Sequence, residues 1–186
     1  MPRQEIDAAL ARLPSSLAGK LRGRWEMLTF LEGGGSWPPT CAAFLASNDT
    51  SLRRLALQCL LQGGDATSLP LIINCLEDDD PEVRAIASRS LPNLALRHGL
   101  GNPPAAERST APVWRQWWLG LCRIAACSDD RATIVLPDGR QRQVTVGSPF
   151  EFHGRVTRIQ PGVGPNNPTG ARVEISLAEQ TFLIRQ

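Results

Sequence analysis

Shifted by 31 residues, one stretch of this chain falls on another: Leu45 on Leu76, Asp49 on Asp80, Leu52 on Val83, Arg53 on Arg84, Leu55 on Ile86, Ala56 on Ala87 and Leu60 on Leu91. Seven coincidences in one register dictate a stacked architecture, because a unit of this length cannot bury an apolar face unless a neighbour covers it. Within the first copy Leu52, Leu55, Ala56, Cys59 and Leu60 recur at i, i+3, i+4, i+7 and i+8, and Val83, Ile86, Ala87, Ser90 and Leu91 repeat the pattern. That spacing paints one stripe down a helix. Shorter apolar segments, Cys41 to Ala46 and Leu69 to Leu76, precede these helices. Each unit therefore reads as helix, turn, helix.

The turns carry their own chemistry. In Asp79-Asp80-Pro81-Glu82-Val83 an Asp stands at the N-cap, a Pro at the first helical position and a Glu in the first turn, where orphan amides and the helix dipole favour them. Asn48-Asp49-Thr50-Ser51 serves the earlier helix in the same way, and Gly63-Gly64 offers a left-handed stop after it. Arg53 and Arg84 recur at the repeat period, four residues after Asp49 and Asp80. The spacing predicts an ion pair inside each repeat, and it leaves the same two arginines as candidates for contact with a partner.

The pattern D-x-x-[LV]-R-x-[LI]-A at Asp49 and Asp80, joined by the Gly64-Asp65 to Pro70 connection, resembles the short bacterial HEAT-like repeats, over roughly residues 40 to 95. The resemblance implies helix pairs stacked into a superhelix with a protein-binding concave face. Related arrays also act as bilin lyases and DNA glycosylases, so it implies architecture more than activity. Upstream, Leu21-Arg22 keeps register with Leu52-Arg53, and Trp25 takes the place of Ala56. Residues Gln4 to Leu31 are read as a degenerate first repeat that caps the array.

Two loops rich in Gly and Pro interrupt the chain, 33–39 and 99–112. Beyond the second, the period turns from helical to alternating in six short runs: 119–126, 132–136, 142–146, 154–159, 172–176 and 181–185. Ser128-Asp129-Asp130 and Pro137-Asp138-Gly139-Arg140 supply hairpin turns. The predicted fold class is α+β with two domains. Residues 1–98 form a helical HEAT-like array, 99–112 a linker, and 113–186 a small antiparallel β sandwich or barrel. The order of strands and turns, with Leu-Pro-Asp-Gly, Val-x-Val-Gly and Gly-Arg-Val-x-x-Ile, resembles the homology-region domain of the type II secretion clamp protein and the type IV pilus alignment lipoprotein. That resemblance implies a β module that docks on another assembly component. The loop from Gln160 to Gly170 contains no titratable side chain and is read as a connection.

Composition narrows the function. Twenty basic against 18 acidic residues leave a net charge of +2, too little to drive tight binding to polyphosphate. Arg155, Arg158 and Arg172 alternate along strands as a modest basic stripe. The five cysteines, Cys41, Cys59, Cys75, Cys122 and Cys127, include no C-x-x-C pair, so free buried thiols are expected. Glu77-Asp78-Asp79-Asp80 reads as a cap with solvated neighbours, and His98 and His153 have no nucleophile-and-base setting around them. No phosphate-cradling glycine loop occurs, and the expectation is no cofactor, no metal and no catalysis. The opening Met-Pro-Arg-Gln-Glu-Ile-Asp lacks a basic start followed by an apolar run. Together with the absence of any span of ~20 apolar residues, this predicts a cytoplasmic protein, or a periplasmic or envelope-associated one if a leader has been removed.

The densest cluster is Val113-Trp114-Arg115-Gln116-Trp117-Trp118, with three of the five tryptophans. Trp and Arg are the residues that anchor interfaces, so Trp114, Trp117 and Trp118 are partner-binding candidates beside Arg53 and Arg84. Their competing role is to cement the helical array to the β module. The chain reads as a non-enzymatic adaptor or scaffold for protein partners, placed by the second resemblance in a secretion or pilus machine. The alternatives are a HEAT-like enzyme and a regulatory module that binds a peptide by strand addition.

Overall fold

Helices come in antiparallel pairs before the chain turns to strands. The computed structural model describes residues 3–33, 40–105, 110–162, 170–177 and 180–185. Most of the loop 33–39, part of the linker 99–112 and the centre of the loop 160–170 lie outside them. The helices are α1 (Arg3–Leu10), α2 (Ser15–Gly33), α3 (Thr40–Phe44), α4 (Thr50–Gly63), α5 (Leu69–Asn74), α6 (Pro81–Arg97) and α7 (Ala111–Leu121). The pairs α3/α4 and α5/α6 are the two repeats, and α1/α2 occupies the position of the expected cap. The stripes behave as their spacing predicts: α4 buries Leu52, Ala56, Leu57, Cys59 and Leu60, and α6 buries Val83, Ala87, Leu91, Leu94 and Ala95.

The sequence repeat is also a repeat of hydrogen bonds. Asp49 caps α4 by accepting from the amides of Ser51 and Leu52, and Asp80 caps α6 by accepting from those of Glu82 and Val83. The Asp49 amide donates to Ser47 Oγ at 3.1 Å, and the Asp80 amide donates to Asp78 Oδ1 at 2.9 Å. Arg53 Nη1 donates to the Ser47 carbonyl, as Arg84 Nη1 does to the Asp78 carbonyl. All of these are the same bonds displaced by one unit.

Two expectations about these turns are corrected. Arg53 does not pair with Asp49 of its own repeat, whose carboxylate caps α4. It reaches into the next repeat and clasps Asp78 through two parallel bonds of 2.8 Å, Nε to Oδ2 and Nη2 to Oδ1. Arg54 beside it grips Asp80 and Glu82, so α4 holds the N-terminus of α6 with two guanidiniums. Arg84 is exposed and bonds only turn carbonyls, those of Asp78 and Asp79. The stop at Gly64 is extended rather than left-handed, with φ −69° and ψ 144°. Glycine is needed there for space, since a Cβ would stand 2.2 Å from the Leu60 carbonyl oxygen and 2.4 Å from Ser68 Oγ.

Six strands follow α7: β1 (Arg123–Cys127), β2 (Arg131–Val135), β3 (Gln141–Thr145), β4 (Arg155–Gln160), β5 (Arg172–Leu177) and β6 (Gln180–Arg185). They form two three-stranded antiparallel sheets in the orders β1-β2-β3 and β4-β5-β6. The Pro-Asp-Gly turn closes β2 on β3 with Gly139 at φ +85°, where a side chain would be strained. The structure is α+β with two domains, as expected. Its first strand is displaced, however: residues 113–121, assigned to the β part, belong to the helix α7, and β1 begins only at Arg123. Nor is the β domain a separate bead. Buried side chains from helices and sheets run together through Trp114, Trp118 and Leu119 in one contiguous cluster.

Candidate interaction surface

Helix α7 is where the two domains meet, and its two faces do different work. Ala111, Trp114, Arg115, Trp118 and Leu119 are buried, at i, i+3, i+4, i+7 and i+8. Val113, Gln116 and Gly120 face solvent on the opposite side, with Trp117 half-buried among them.

The buried face is cement. Trp114 and Trp118 have at most 1% of their surface exposed. Each ring removes ~150–250 Å² from water, which at about 25 cal/mol/Å² corresponds to an upper bound of roughly 4–6 kcal/mol. Trp118 meets Phe152 edge to face at 5.4 Å and 88°. Phe152 lies in the turn of Glu151–His153 with φ +63°, the single non-glycine residue with positive φ among the described residues. Such a backbone costs of order 1–2 kcal/mol, and the ring's fixed place beside α7 offsets it.

Arg115 is the residue that sequence reasoning passed over. Only 8% exposed, it crosses from α7 to the helical array. Nη1 and Nη2 bond Glu77 Oε1 and Oε2 at 3.0 and 2.6 Å, and Nη2 also donates to Asn74 Oδ1 at 3.1 Å. Its guanidinium carbon stands 5.9 Å from the centre of the Phe152 ring. Among the described residues Arg115 Nε and Trp118 Nε1 are buried without a hydrogen-bond partner. For Arg115 the Phe152 ring beneath its guanidinium is the kind of weak acceptor that tempers such an orphaned donor. The signal was present in the sequence: a charged residue in the middle of an otherwise apolar stripe must find a partner across the interface.

The outward face is a different surface. Trp117 stacks edge to face on Trp114 at 5.1 Å and 81°, so a buried ring fixes the orientation of a half-exposed one. Beside it runs a groove of about 550 Å³, lined by Asn102, Pro103, Pro104, Val113 and Trp117 among others. A second trough of about 440 Å³ lies between α7 and β6, lined by Gln116, Gly120, Thr181, Leu183 and Arg185. Gln116 borders both, and Trp117 lines only the first. Of the five candidates named from sequence, Trp114 and Trp118 are packed inside, Arg53 is engaged between repeats, Arg84 is exposed on the array, and Trp117 alone stands on this surface.

Among the described residues no three His, Cys, Asp or Glu side chains converge as a metal site requires. The five cysteines are free and buried. Burial pushes the Cys41 and Cys75 thiols up to about 12 and raises Cys122 as well, the reverse of what a nucleophilic cysteine needs. Among the described residues no helix is long and apolar enough to cross a membrane.

The fold is thus that of a short helix-pair array carrying a small two-sheet β module. A family model of HEAT repeats matches residues 38–108, which covers both repeats and most of the linker but not the β module. Residues 38–108 are therefore similar to HEAT repeats, a class that commonly mediates contacts between proteins. No curated protein and no solved structure matches the chain.

Proposed function

We propose that this chain is a non-enzymatic adaptor that binds a protein partner along the outward face of α7. The observation that carries the reading is Trp117: a tryptophan held in one orientation by a buried neighbour, left half open beside a groove, at the joint between two domains. A rigid aromatic anchor in a pocket is the usual centre of a binding hot spot, since it brings area with little entropy to lose. HEAT repeats in the array support the same class of function. The secretion or pilus setting rests on the order of strands and turns alone and stays a narrower form of this proposal, as does location in the cytoplasm or at the envelope.

A photocrosslinking residue at Gln116, which borders both hollows, tests the proposal in the cell of origin. A discrete protein adduct that disappears with Trp117→Ala, while the melting temperature changes by no more than a few degrees, is the expected result. No adduct, or an adduct indifferent to Trp117, refutes it. Reading the array as a lyase or glycosylase would require turnover of a chromophore or of damaged duplex DNA by the purified chain.

A further inference from the structure

The second sheet turns a face outward that its own residues do not balance. In its register Arg172 of β5 stands directly opposite Arg185 of β6, and Arg158 of β4 opposite Glu174. Arg155, Arg158, Arg172 and Arg185 are all exposed. Among the described residues no carboxylate pairs with any of them, and Arg155 bonds only the Gly147 carbonyl. Four guanidiniums therefore share one face with a single carboxylate. Like charges directly opposite on neighbouring strands weaken a sheet. The Arg172/Arg185 pair is a cost that the fold does not recover internally.

This face continues into the trough between β6 and α7. Thr181, Leu183 and Arg185 project on one side of β6, and Gly120 lines the opposite wall. A Cβ on Gly120 would meet nothing within 4 Å, so packing does not demand glycine there. The wall of the trough at Gly120 is therefore open backbone. We infer that this trough and the basic face beside it bind an extended acidic segment of a partner protein, with carboxylates on Arg172 and Arg185 and an apolar side chain on Leu183. The inference rests on the adaptor reading and names the chemistry of the partner.

Two observations favour a polypeptide over a nucleic acid. Glu174 sits in the middle of the face, where a uniform polyanion would meet it head on and a peptide could set an amide or a lysine against it. The outward face, made of Arg, Glu, Ser, Thr, Leu and Gln, offers no aromatic ring for a base to stack on.

Arg172→Glu provides a test in which stability and binding move in opposite directions. It replaces a like-charge pair by an Arg–Glu pair across the strands, so the melting temperature of the full chain should rise. Affinity for a fluorescent peptide alternating glutamate with leucine should fall about tenfold, since an exposed attraction becomes a repulsion. Arg24→Glu on α2 makes the same change in net charge at a distance and should leave peptide affinity unchanged. A single-stranded oligonucleotide of matched charge should bind more weakly than the peptide. The inference is overturned if Arg172→Glu binds the peptide as well as the parent chain, if Arg24→Glu weakens it equally, or if the oligonucleotide binds as tightly. In any of those events, a Trp117-dependent adduct at Gln116 would still uphold the adaptor reading, whereas no adduct there would remove both.

Discussion

The pair of Arg115 and Glu77 is lopsided: the Arg side chain is 10% exposed and the Glu side chain 54%. Removing one partner is therefore not equivalent to removing the other. Glu77→Ala strands a guanidinium inside the joint with only Asn74 and the Phe152 ring for company. Cutting a fully buried pair in this way costs about 3–5 kcal/mol. Solvent entering where Glu77 stood would lower that to about 2–3 kcal/mol. Arg115→Met leaves a carboxylate that is already half in water and fills the space with an apolar chain of similar reach. The expected loss is about 1 kcal/mol, the worth of a few partly exposed hydrogen bonds. For a chain of this size the first substitution should lower the melting temperature by roughly 5–10 °C and the second by about 2–4 °C. The double variant should resemble Arg115→Met alone, because no stranded charge remains. Tryptophan fluorescence during urea unfolding reads the joint directly, with Trp114 and Trp118 beside Arg115. Should Arg115→Met prove as costly as Glu77→Ala, or the double variant as poor as Glu77→Ala, the desolvation argument is wrong.

Acid sensitivity should follow from the carboxylates that hold the array together. Burial pushes Asp78 up, but the hydrogen bonds from Arg53 and from the Asp80 amide more than compensate and leave it below its ordinary 3.8; Thr67 lowers Asp65 and Arg54 lowers Asp80. Groups depressed in the folded state stabilise it above the unfolded value, near 3.9, and lose that contribution as pH falls through the folded one. Urea stability should accordingly show no loss from these groups down to about pH 4 and decline below it, with Asp78→Asn less stable above that point and converging on the parent beneath it; equal separation at all pH values would refute this. Native protein at pH 8 should resist iodoacetamide at all five cysteines, since all are buried with raised thiols, and one near 12, as at Cys41 and Cys75, is a thiolate in about one molecule in ten thousand. Intact mass would show adducts only after unfolding, and rapid native labelling would contradict the burial. Two helical glycines should respond oppositely to alanine. Gly63 would place a Cβ 2.3 Å from the Phe30 ring and lose about 1–3 kcal/mol, whereas Gly19, with nothing within 4 Å, should gain up to about 1 kcal/mol; melting temperatures moving together would refute the contrast.

The helical array was readable because its signals are local and repeated. Caps at Asp49 and Asp80, the stripes on α4 and α6 and the Pro-Asp-Gly hairpin each follow from a few adjacent residues. What escaped was nonlocal. Arg53 has an aspartate four positions before it and pairs with one 25 positions after it, a choice set by how α4 packs against the start of α6. Residues 119–121 looked like the start of a strand because they run straight into the apolar segment around Ile124, although Ala111, Trp114, Arg115, Trp118 and Leu119 already traced a helix. The tryptophan cluster was noticed as a unit, but only the packing divides it into two rings that cement and one that is offered. Arg185 was absent from the basic stripe drawn at 155, 158 and 172, since its place opposite Arg172 depends on the β5/β6 register.

One difference between the two repeats bears on how long such an array can grow. Position 47 holds Ser and position 78, its equivalent, holds Asp; both receive the next amide but one, yet only the carboxylate reaches back to Arg53. Arg84 has the same stem and orientation as Arg53 and lacks a successor carboxylate to seize among the described residues. Duplicating residues 49–79 in tandem would carry Arg53 and its partner Asp78 together in every copy. Each added unit would thus bring both halves of this clasp with it, while Arg54, which also grips Glu82, would meet Ser51 of the next copy in its place.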